Sequence, residues 1–450
     1  MLNLNQLKKL YTNSPTWVRS IYSSVPFWIR NGSEYREWSS FLNTNLNVDE
    51  YEILKLKETI LYAYENTKYY KDLFDDNQIN PYAIHTKRDL QGIPLLTKKL
   101  IRENLDSLQV TNYPNSKKFS ITTGGTTGYP VAFYQSENIW KKELAFVYDY
   151  FSQHGYKPSM LKASFKIREF KHIDKRVFWE KDYVNNSIHF SPIHLNRYTV
   201  SNYVQKLNEL KPLFFHMYPS NLLLLINSMI DENLTLNYQL HGIFLVSEGY
   251  STDDVNKIKR FFNCNVSSFY GHSERALFAR AVSSELDVYQ VDKRYGCFEL
   301  MDENGFQVTQ EGISGSIIGT TFDNYAMPLI RCETDDLTEY IDYKSDKINM
   351  IDSLRNHVYI DGINGVTISI TAFSISKSSD KISIWQLYQK QAGQLTVLVV
   401  AKKNFTDFDK DKILLPLKKD FGNFLHCDLK LIDQPFRTAR GKIRRLIKDY

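Results

Sequence analysis

The sequence predicts an α/β protein: a large N-terminal domain of α/β layers with a β-rich section, then a small α+β C-terminal domain. Three observations lead there. At 450 residues the chain exceeds the length over which a single core keeps growing. From Asn138 to Phe269, apolar strand-like runs alternate with helical stretches of about ten residues, the pattern of parallel α/β layers. Past residue 291 short strands and turns take over, and a fresh strand–helix alternation follows residue 350. The expected domains are 1–350 and 351–450, joined between Asp342 and Arg355, where charged and polar residues interrupt the strand pattern.

In chain order, Val48–Phe74 carries Leu54, Ile60, Leu61 and Tyr64 at helical spacing and reads as one long amphipathic helix. Ile93–Thr97 is a short turn whose Thr97 caps a helix from Lys98 to Leu105. Asn138–Tyr156 is helical, Ser187–Pro192 is β-like and Val200–Leu210 is helical again. Phe214–Ser220 (FFHMYPS) turns at Pro219 into the apolar helix Asn221–Ile230. Gly242–Val246 (GIFLV) reads as a buried strand, Asp253–Phe262 as a helix and Val266–Phe269 as a strand. Tyr295–Thr320, with turns at Asp302–Gly305 and Glu311–Gly312, has an antiparallel texture. In the last domain, strands at Gly365–Ile370, Lys381–Leu387 and Leu395–Val400 accompany a helix at Asp407–Phe421, and the chain closes on a basic tail.

Composition narrows the function classes. Hydrophobic residues at 42% and charged residues at 24% are an ordinary globular balance, and a net charge of +5 calls for neither nucleic acid nor membrane. The four cysteines are scattered and the ten histidines form no HExxH cluster, which argues for reduced thiols in a cytoplasmic protein and against zinc. No signal-peptide segment opens the chain and no run of about 18 apolar residues exists to span a membrane. Lys8, Lys9, Arg19 and Arg30 with Trp17, Phe27 and Trp28 suit an N-terminal helix packed on the body, or peripheral membrane association. The composition is compatible with a monomer or a homodimer.

The richest stretch is Phe119–Pro130 (FSITTGGTTGYP), where five of twelve residues are Ser or Thr and three are Gly. Glycine is costly in helices and Ser/Thr compete for backbone bonds, so this is a loop between short strands. Its glycines permit close backbone approach and its N–H groups can form an anion nest, which suits a polyphosphate; the same letters also suit a plain polar turn. A Walker loop is excluded, since Tyr129 and Pro130 follow Gly128 where Lys and Ser/Thr are needed. Phe269–Glu274 (FYGHSE) follows a predicted strand. Tyr270 there could stack a base and Glu274 could bind a hard cation on phosphates, or the segment is an ordinary strand–turn–helix junction. In Met327–Thr338 (MPLIRCETDDLT), Asp336 could accept bonds from ribose hydroxyls, or the stretch is an exposed turn. Phe436–Ile447 (FRTARGKIRRLI) gathers Arg437, Arg440, Lys442, Arg444 and Arg445 around Gly441, a turn more specific than a solvated basic tail requires.

In this order, Thr122–Pro130, Tyr270–Glu274, Pro328–Thr338 and Arg437–Arg445 resemble the core motifs of the adenylate-forming superfamily, in its phenylacetate–CoA ligase branch. Within that branch the chain is similar to the CapK-like proteins of capsular polysaccharide biosynthesis. Ile60–Phe74, Ile93–Asn104, His216–Leu225 and Val246–Tyr250 resemble further landmarks, and the resemblance covers about residues 35–450. It implies the adenylate-forming enzyme fold, whose small C-terminal domain is mobile, and a reaction of a carboxylate with ATP to give an acyl adenylate and pyrophosphate. By this resemblance Thr122, Thr123, Gly124, Gly125, Thr126, Thr127 and Gly128 hold the β- and γ-phosphates, with Thr127 counted in catalysis. Tyr270 and Gly271 lie against the adenine with Glu248 as a polar wall, Glu274 binds Mg²⁺, and Asp336 holds the ribose. Arg355 stands for the hinge arginine, and Lys442 touches both the carboxylate and the α-phosphate. His194, His216 and Tyr218 are candidates for the acyl pocket, each equally readable as core.

ATP and Mg²⁺ are thus the expected cofactors, with CoA left open. The partners are a small carboxylic acid and an acceptor that is CoA or a sugar hydroxyl or amine of a polysaccharide-pathway intermediate. The chain departs from the pattern in places. Asp335 replaces a usual Gly, Cys332 a common Tyr, Ser247–Glu248–Gly249 permutes a Gly-Glu pair, and the hinge G-R-x-x-D survives only as Asp352–Asn356 (DSLRN). Aspartate tolerates the left-handed backbone that a glycine would supply there. These departures gather on the thioester-forming half-reaction, so adenylation is expected while the acceptor stays open. The alternative is a degenerate, non-catalytic homologue that acts as a scaffold in polysaccharide assembly.

Overall fold

The computed structural model describes residues 14–15, 21, 24–122, 131–165, 170, 173–284, 286–353, 359–363, 366–369, 373, 375, 381–437 and 443–449. It divides into one unit of Met1–Ser159, Tyr183–Asn186 and Ser267–Asp352, and another of Met160–Asp182, Ser187–Val266 and Ser353–Tyr450. Elements are numbered along the whole chain.

In the first unit, α1 (Phe27–Arg30) and α2 (Gly32–Leu42) precede α3 (Val48–Asn66), α4 (Lys68–Asp76) and α5 (Lys98–Glu103). Strands β1 (Lys118–Thr122) and β2 (Ala132–Ser136) pair antiparallel, and α6 (Glu137–Gln153) follows. Phe27 is buried and stacks on Tyr148 of α6 at 4.6 Å, and α2 packs on the same helix, so Phe27 belongs to the body, while Trp28 beside it is exposed. Lys8, Lys9, Trp17 and Arg19 lie outside the described residues.

The single helix expected over Val48–Phe74 is two. Thr67 stands extended at φ −124°, ψ 140°, bridges Val110, and its hydroxyl accepts from Tyr70 N at 3.3 Å to cap α4. A β-branched residue enters the extended region easily, and the bridge holds it there. Leu56, Ile60 and Ala63 of α3 and Tyr70 and Phe74 of α4 form one core with Leu96, Ile101, Phe133, Leu329 and Ile330. Each large apolar side chain so buried contributes about 1.5–3 kcal/mol.

The rest of this unit is an antiparallel sheet in the order β11-β12-β13-β14-β10-β9-β8. Its strands are β8 (Asn265–Gly271), β9 (Phe278–Ala281), β10 (Val288–Val291), β11 (Gly296–Met301), β12 (Ser314–Thr321), β13 (Cys332–Asp342) and β14 (Lys347–Asn349). The expected β-rich section is therefore present. Thr97 caps α5 by accepting from Leu100 N at 3.2 Å, and just before it Leu96 N donates to Arg331 O at 2.9 Å, tying this entry turn to β13. Arg331 is buried, and its Nε and Nη2 each donate to Glu299 at 3.1 Å. Arg331 itself takes left-handed backbone, at φ 50°.

In the second unit β7 (Gly242–Leu245), β6 (Phe214–Met217), β3 (Lys162–Phe165) and β5 (Ser187–Phe190) run parallel in that order, with β4 (Trp179–Asp182) antiparallel on β5. Helices α7 (Val200–Leu210), α8 (Pro219–Asp231) and α9 (Thr252–Phe262) complete the predicted α/β layers. Past the two-residue β15 (Asp352–Ser353), β16 (Tyr359–Asp361) and β17 (Thr367–Ser369) form a hairpin. A separate sheet runs β20-β19-β18-β21, from β18 (Ile382–Gln391), β19 (Gln394–Ala401), β20 (His426–Leu431) and β21 (Leu446–Lys448). The helix α10 (Asp407–Phe421) has the predicted bounds and a capping box in which Thr406 N donates to Asp409 at 3.0 Å. Its Ile413 and Leu417 share a core with Leu387, Leu395, Val397 and Val399 of the sheet. The four cysteines are free thiols. Among the described residues no helix is long and apolar enough to cross a membrane.

Candidate active site

Thr123, Gly124, Gly125, Thr126, Thr127, Gly128, Arg355 and Lys442 lie outside the described residues. Thr122 ends β1, with its backbone opposite Ala132 of β2.

In the first unit, Tyr270 and Gly271 close the carboxyl end of β8. A turn follows in which Arg275 N donates to His272 O at 3.1 Å, and the chain reverses into antiparallel β9, so no helix follows Glu274. The Tyr270 hydroxyl donates to Asp336 Oδ2 at 2.9 Å. Burial holds its pKa well above the usual phenol range, and the Asp336 charge pushes the same way, so it remains a donor. Asp336 lies within β13, where its N donates to Thr334 Oγ1 at 3.2 Å; the segment is a sheet strand and not an exposed turn.

Glu274 is buried, and His272 Nδ1 lies 3.0 Å from its Oε2. Burial alone would raise its pKa. The His272 bond and charge, the residue's own amide and the charge of Lys98 outweigh that and bring it down to about 2, so the carboxyl is ionised. The turn is fastened from two further directions. Gln135 Nε2 of β2 donates to Ser273 O at 2.7 Å, while Arg275 pairs with Glu143 at 3.1 Å and lies 4.3 Å over the Trp140 ring of α6.

Two observations test the fit of a nucleotide and a hard cation. Among the described residues a Cβ on Gly271 would meet nothing nearer than 3.8 Å, so their packing does not demand glycine there, and a close backbone approach by a nucleotide is compatible with it. Among the described residues no group of three or more His, Cys, Asp or Glu could hold a metal. One ionised carboxylate is nevertheless what Mg²⁺ needs, because it takes one or two carboxylates together with substrate phosphates and water.

In the second unit the remaining candidates follow the carboxyl ends of parallel strands, the rim where α/β sheets bind ligands. His216 sits on β6, in register with Ser164 of β3 and Phe244 of β7. Tyr218 is the N-cap residue of α8. Glu248 follows β7, and its Oε2 accepts from Ser220 N at 3.2 Å in the first turn of α8, where the helix dipole favours a carboxylate. His194 follows β5, beyond β3 from His216. Its Nδ1 is 2.8 Å from Ser191 Oγ, its ring stacks on Phe178 at 5.4 Å, and burial lowers its pKa, as suits a packing histidine.

Sequence reasoning missed three groups. Asn221 of α8 accepts from Arg437 Nη1, and burial lowers the Arg437 pKa to about 10 while Glu248 pulls it up; FRTARGK marked this arginine but not its partner. Lys98, inside the Thr-Lys-Lys landmark, adds charge near Glu274. Buried Ser164 and His189 and half-buried Asp182 form a hydrogen-bonded chain, with Ser164 Oγ 2.6 Å from His189 Nδ1 and His189 Nε2 3.0 Å from Asp182. Only strand register reveals it.

Sequence comparison then places the chain. It is 24% identical over 463 residues to Protein CapK of Staphylococcus aureus, covering 98% of this chain and 99% of that protein. Residues 362–449 match the CapK C-terminal domain family. The chain is a CapK homologue. In fold it is similar to 2-hydroxyisobutyryl-CoA ligase in the postadenylation state in complex with R3-HIB-AMP, with TM-score 0.67 at 16% identity and 89% of each chain covered. An open conformation of that ligase in complex with 2-HIB-AMP and CoA gives TM-score 0.54 at 16% identity, covering 89% of this chain and 91% of that one. The fold is that of adenylate-forming CoA ligases, as the sequence led us to expect.

Proposed function

We propose that the protein activates a carboxylic acid with ATP as an acyl adenylate and passes the acyl group to an acceptor. The observation that carries this reading is the Tyr270–Asp336 bond, with the buried, ionised Glu274 four residues beyond Tyr270. Together they offer an aromatic ring, an acceptor for sugar hydroxyls and an anion suited to a cation. An oxygen of the acid attacks the α-phosphorus, the bond to the bridging oxygen of the β-phosphate breaks, and pyrophosphate leaves. Two anions must meet, so charge neutralisation and alignment dominate the barrier.

In this reading Tyr270, Gly271 and Glu248 receive the adenine, Asp336 the ribose, and Thr122–Gly128 the β- and γ-phosphates. Glu274 holds Mg²⁺, which supplies charge neutralisation on the phosphates. Residues 351–450 act as a lid that brings Lys442 to the carboxylate and α-phosphate. His216 and Tyr218 are proposed acyl-pocket residues, and Arg355 a hinge residue. The cytoplasm, with its ATP, is the proposed compartment. In the second step the acceptor attacks the acyl carbon and AMP leaves. Because DSLRN lacks the hinge glycine and aspartate, we assign that acceptor to a hydroxyl or amine of a polysaccharide-pathway intermediate ahead of CoA.

The test is mass spectrometry of reactions holding enzyme, ATP, Mg²⁺ and a panel of carboxylic acids, with and without CoA. An acyl adenylate is expected with at least one acid. Bound ATP without any adenylate would favour a non-catalytic scaffold, the reading that the same degenerate hinge supports. Rapid thioester formation would overturn the acceptor assignment.

A further inference from the structure

We infer that Arg275 and Gln135 are positioning residues that tie Glu274 to the hairpin flanking the hydroxyl loop, so that divalent cation and nucleotide bind cooperatively. The inference rests on the adenylation reading above. Phe119 of β1 and Gln135 of β2 lie opposite each other in the antiparallel ladder, three residues before its last rung, Thr122–Ala132. Directly opposed residues share a face of the sheet, and both of these connect to the turn that carries Glu274. Gln135 is fully buried and its Nε2 donates to Ser273 O at 2.7 Å. Phe119 packs on Trp140 of α6 with ring centroids 5.4 Å apart, and the Arg275 guanidinium lies 4.3 Å over that same Trp140 ring. Glu274 is therefore held on both flanks, through Ser273 before it and Arg275 after it, by one rung of the hairpin.

The Arg275 half of this clamp is strained. Arg275 stands in left-handed backbone at φ 53°, which a residue with a Cβ keeps only where its surroundings over-determine it. Those surroundings are rigid: the side chain keeps 14% of its surface, Nη1 pairs with Glu143 Oε2 at 3.1 Å, and the Tyr295 hydroxyl donates to that same oxygen. Closing β8 onto β9 needs no arginine, and a glycine would meet this φ without strain. What arginine adds is a planar cation that stacks on an aromatic face while its fork meets a carboxylate. Glu274 is the carboxylate proposed for Mg²⁺, an ion that tolerates little departure from octahedral geometry and takes its remaining ligands from phosphates and water. A clamp that fixes this carboxylate against the phosphate-binding hairpin makes each ligand bind more tightly when the other is present.

Isothermal titration reads the coupling as one ratio, the Kd for ATP in chelator divided by the Kd for ATP with Mg²⁺. Loss of groups that orient a metal ligand typically weakens metal binding about ten- to hundredfold. Arg275→Met and Gln135→Leu should each lower the ratio roughly tenfold. Arg275→Lys keeps a cation for Glu143 and Trp140 without the planar fork, and should recover part of the loss. Adding Trp140→Leu to Arg275→Met should lower the ratio no further, since both break the same link. Because the ratio is taken within each variant, a common loss of folded protein cancels. A clamp that serves only stability would lower the thermal midpoint and weaken ATP equally in both media. That unchanged ratio, or a double variant whose effects add, overturns the inference and leaves the adenylation reading standing. A native protein that gains no ATP affinity from Mg²⁺ overturns the assignment of Glu274 to the cation, and this inference with it.

Discussion

Replacing Tyr270 by Phe removes one hydroxyl and leaves the ring, so apolar burial is kept and only the 2.9 Å bond to Asp336 is lost. Hydrogen bonds to charged groups are worth about 1.5–3 kcal/mol, and Asp336 would have to reorient or recruit water. If Asp336 holds the ribose, that loss should appear in ATP–Mg²⁺ binding as a roughly ten- to hundredfold weaker Kd, since about 1.4 kcal/mol is tenfold. Isothermal titration of the native protein, Tyr270→Phe, Asp336→Asn and the double variant closes a thermodynamic cycle. We expect a coupling above about 1 kcal/mol, because Asp336→Asn already spoils what the hydroxyl supports. Native-like ATP binding in Tyr270→Phe, or effects that add to within about 0.5 kcal/mol, would refute the assignment of these two residues to the nucleotide.

Other outcomes follow from the buried charges. Arg331→Met strands Glu299 beneath β13 and should cost about 3–5 kcal/mol, read as a lower denaturation midpoint. Lys142→Met should cost clearly less. Lys142 is fully buried and pairs with Asp323 at 2.6 Å, but Asp323 keeps Lys55 at 2.9 Å; the reverse ranking would contradict this account of the two pairs. Glu274 titrates from an ordinary value of 4.5 down to about 2 in the folded state. A depressed carboxylate contributes stability that is fully present above about pH 4.5 and is lost as pH falls toward 2. Glu274→Gln should therefore flatten that part of the acid-denaturation curve, and superimposable curves would show that the carboxyl is not depressed.

Much of the fold was legible because local periodicity and capping agree with it. Asp407–Phe421 shows its helix through the Thr406/Asp409 box, and Gly242–Leu245 its buried strand through four apolar-compatible residues. The failures are tertiary. Nothing local in Thr67 announces that Val110 will hold it extended, and nothing local in Arg331 announces that its guanidinium will be buried against Glu299. At the site, motif order placed Tyr270 and Asp336 in one function, but their contact needs the sheet order β8-β9-β10-β14-β13, which no short motif encodes. The His272–Glu274 contact was invisible for the same reason: the letters YGHSE give an imidazole two residues before a carboxylate, not that the two meet or through which nitrogen.

The most direct test of the central claim is carboxylate-dependent ATP–pyrophosphate exchange in the native protein and in Lys442→Ala. The account predicts exchange that requires an acid and Mg²⁺ and that disappears in the variant while ATP binding largely survives. Undiminished exchange in Lys442→Ala would contradict it.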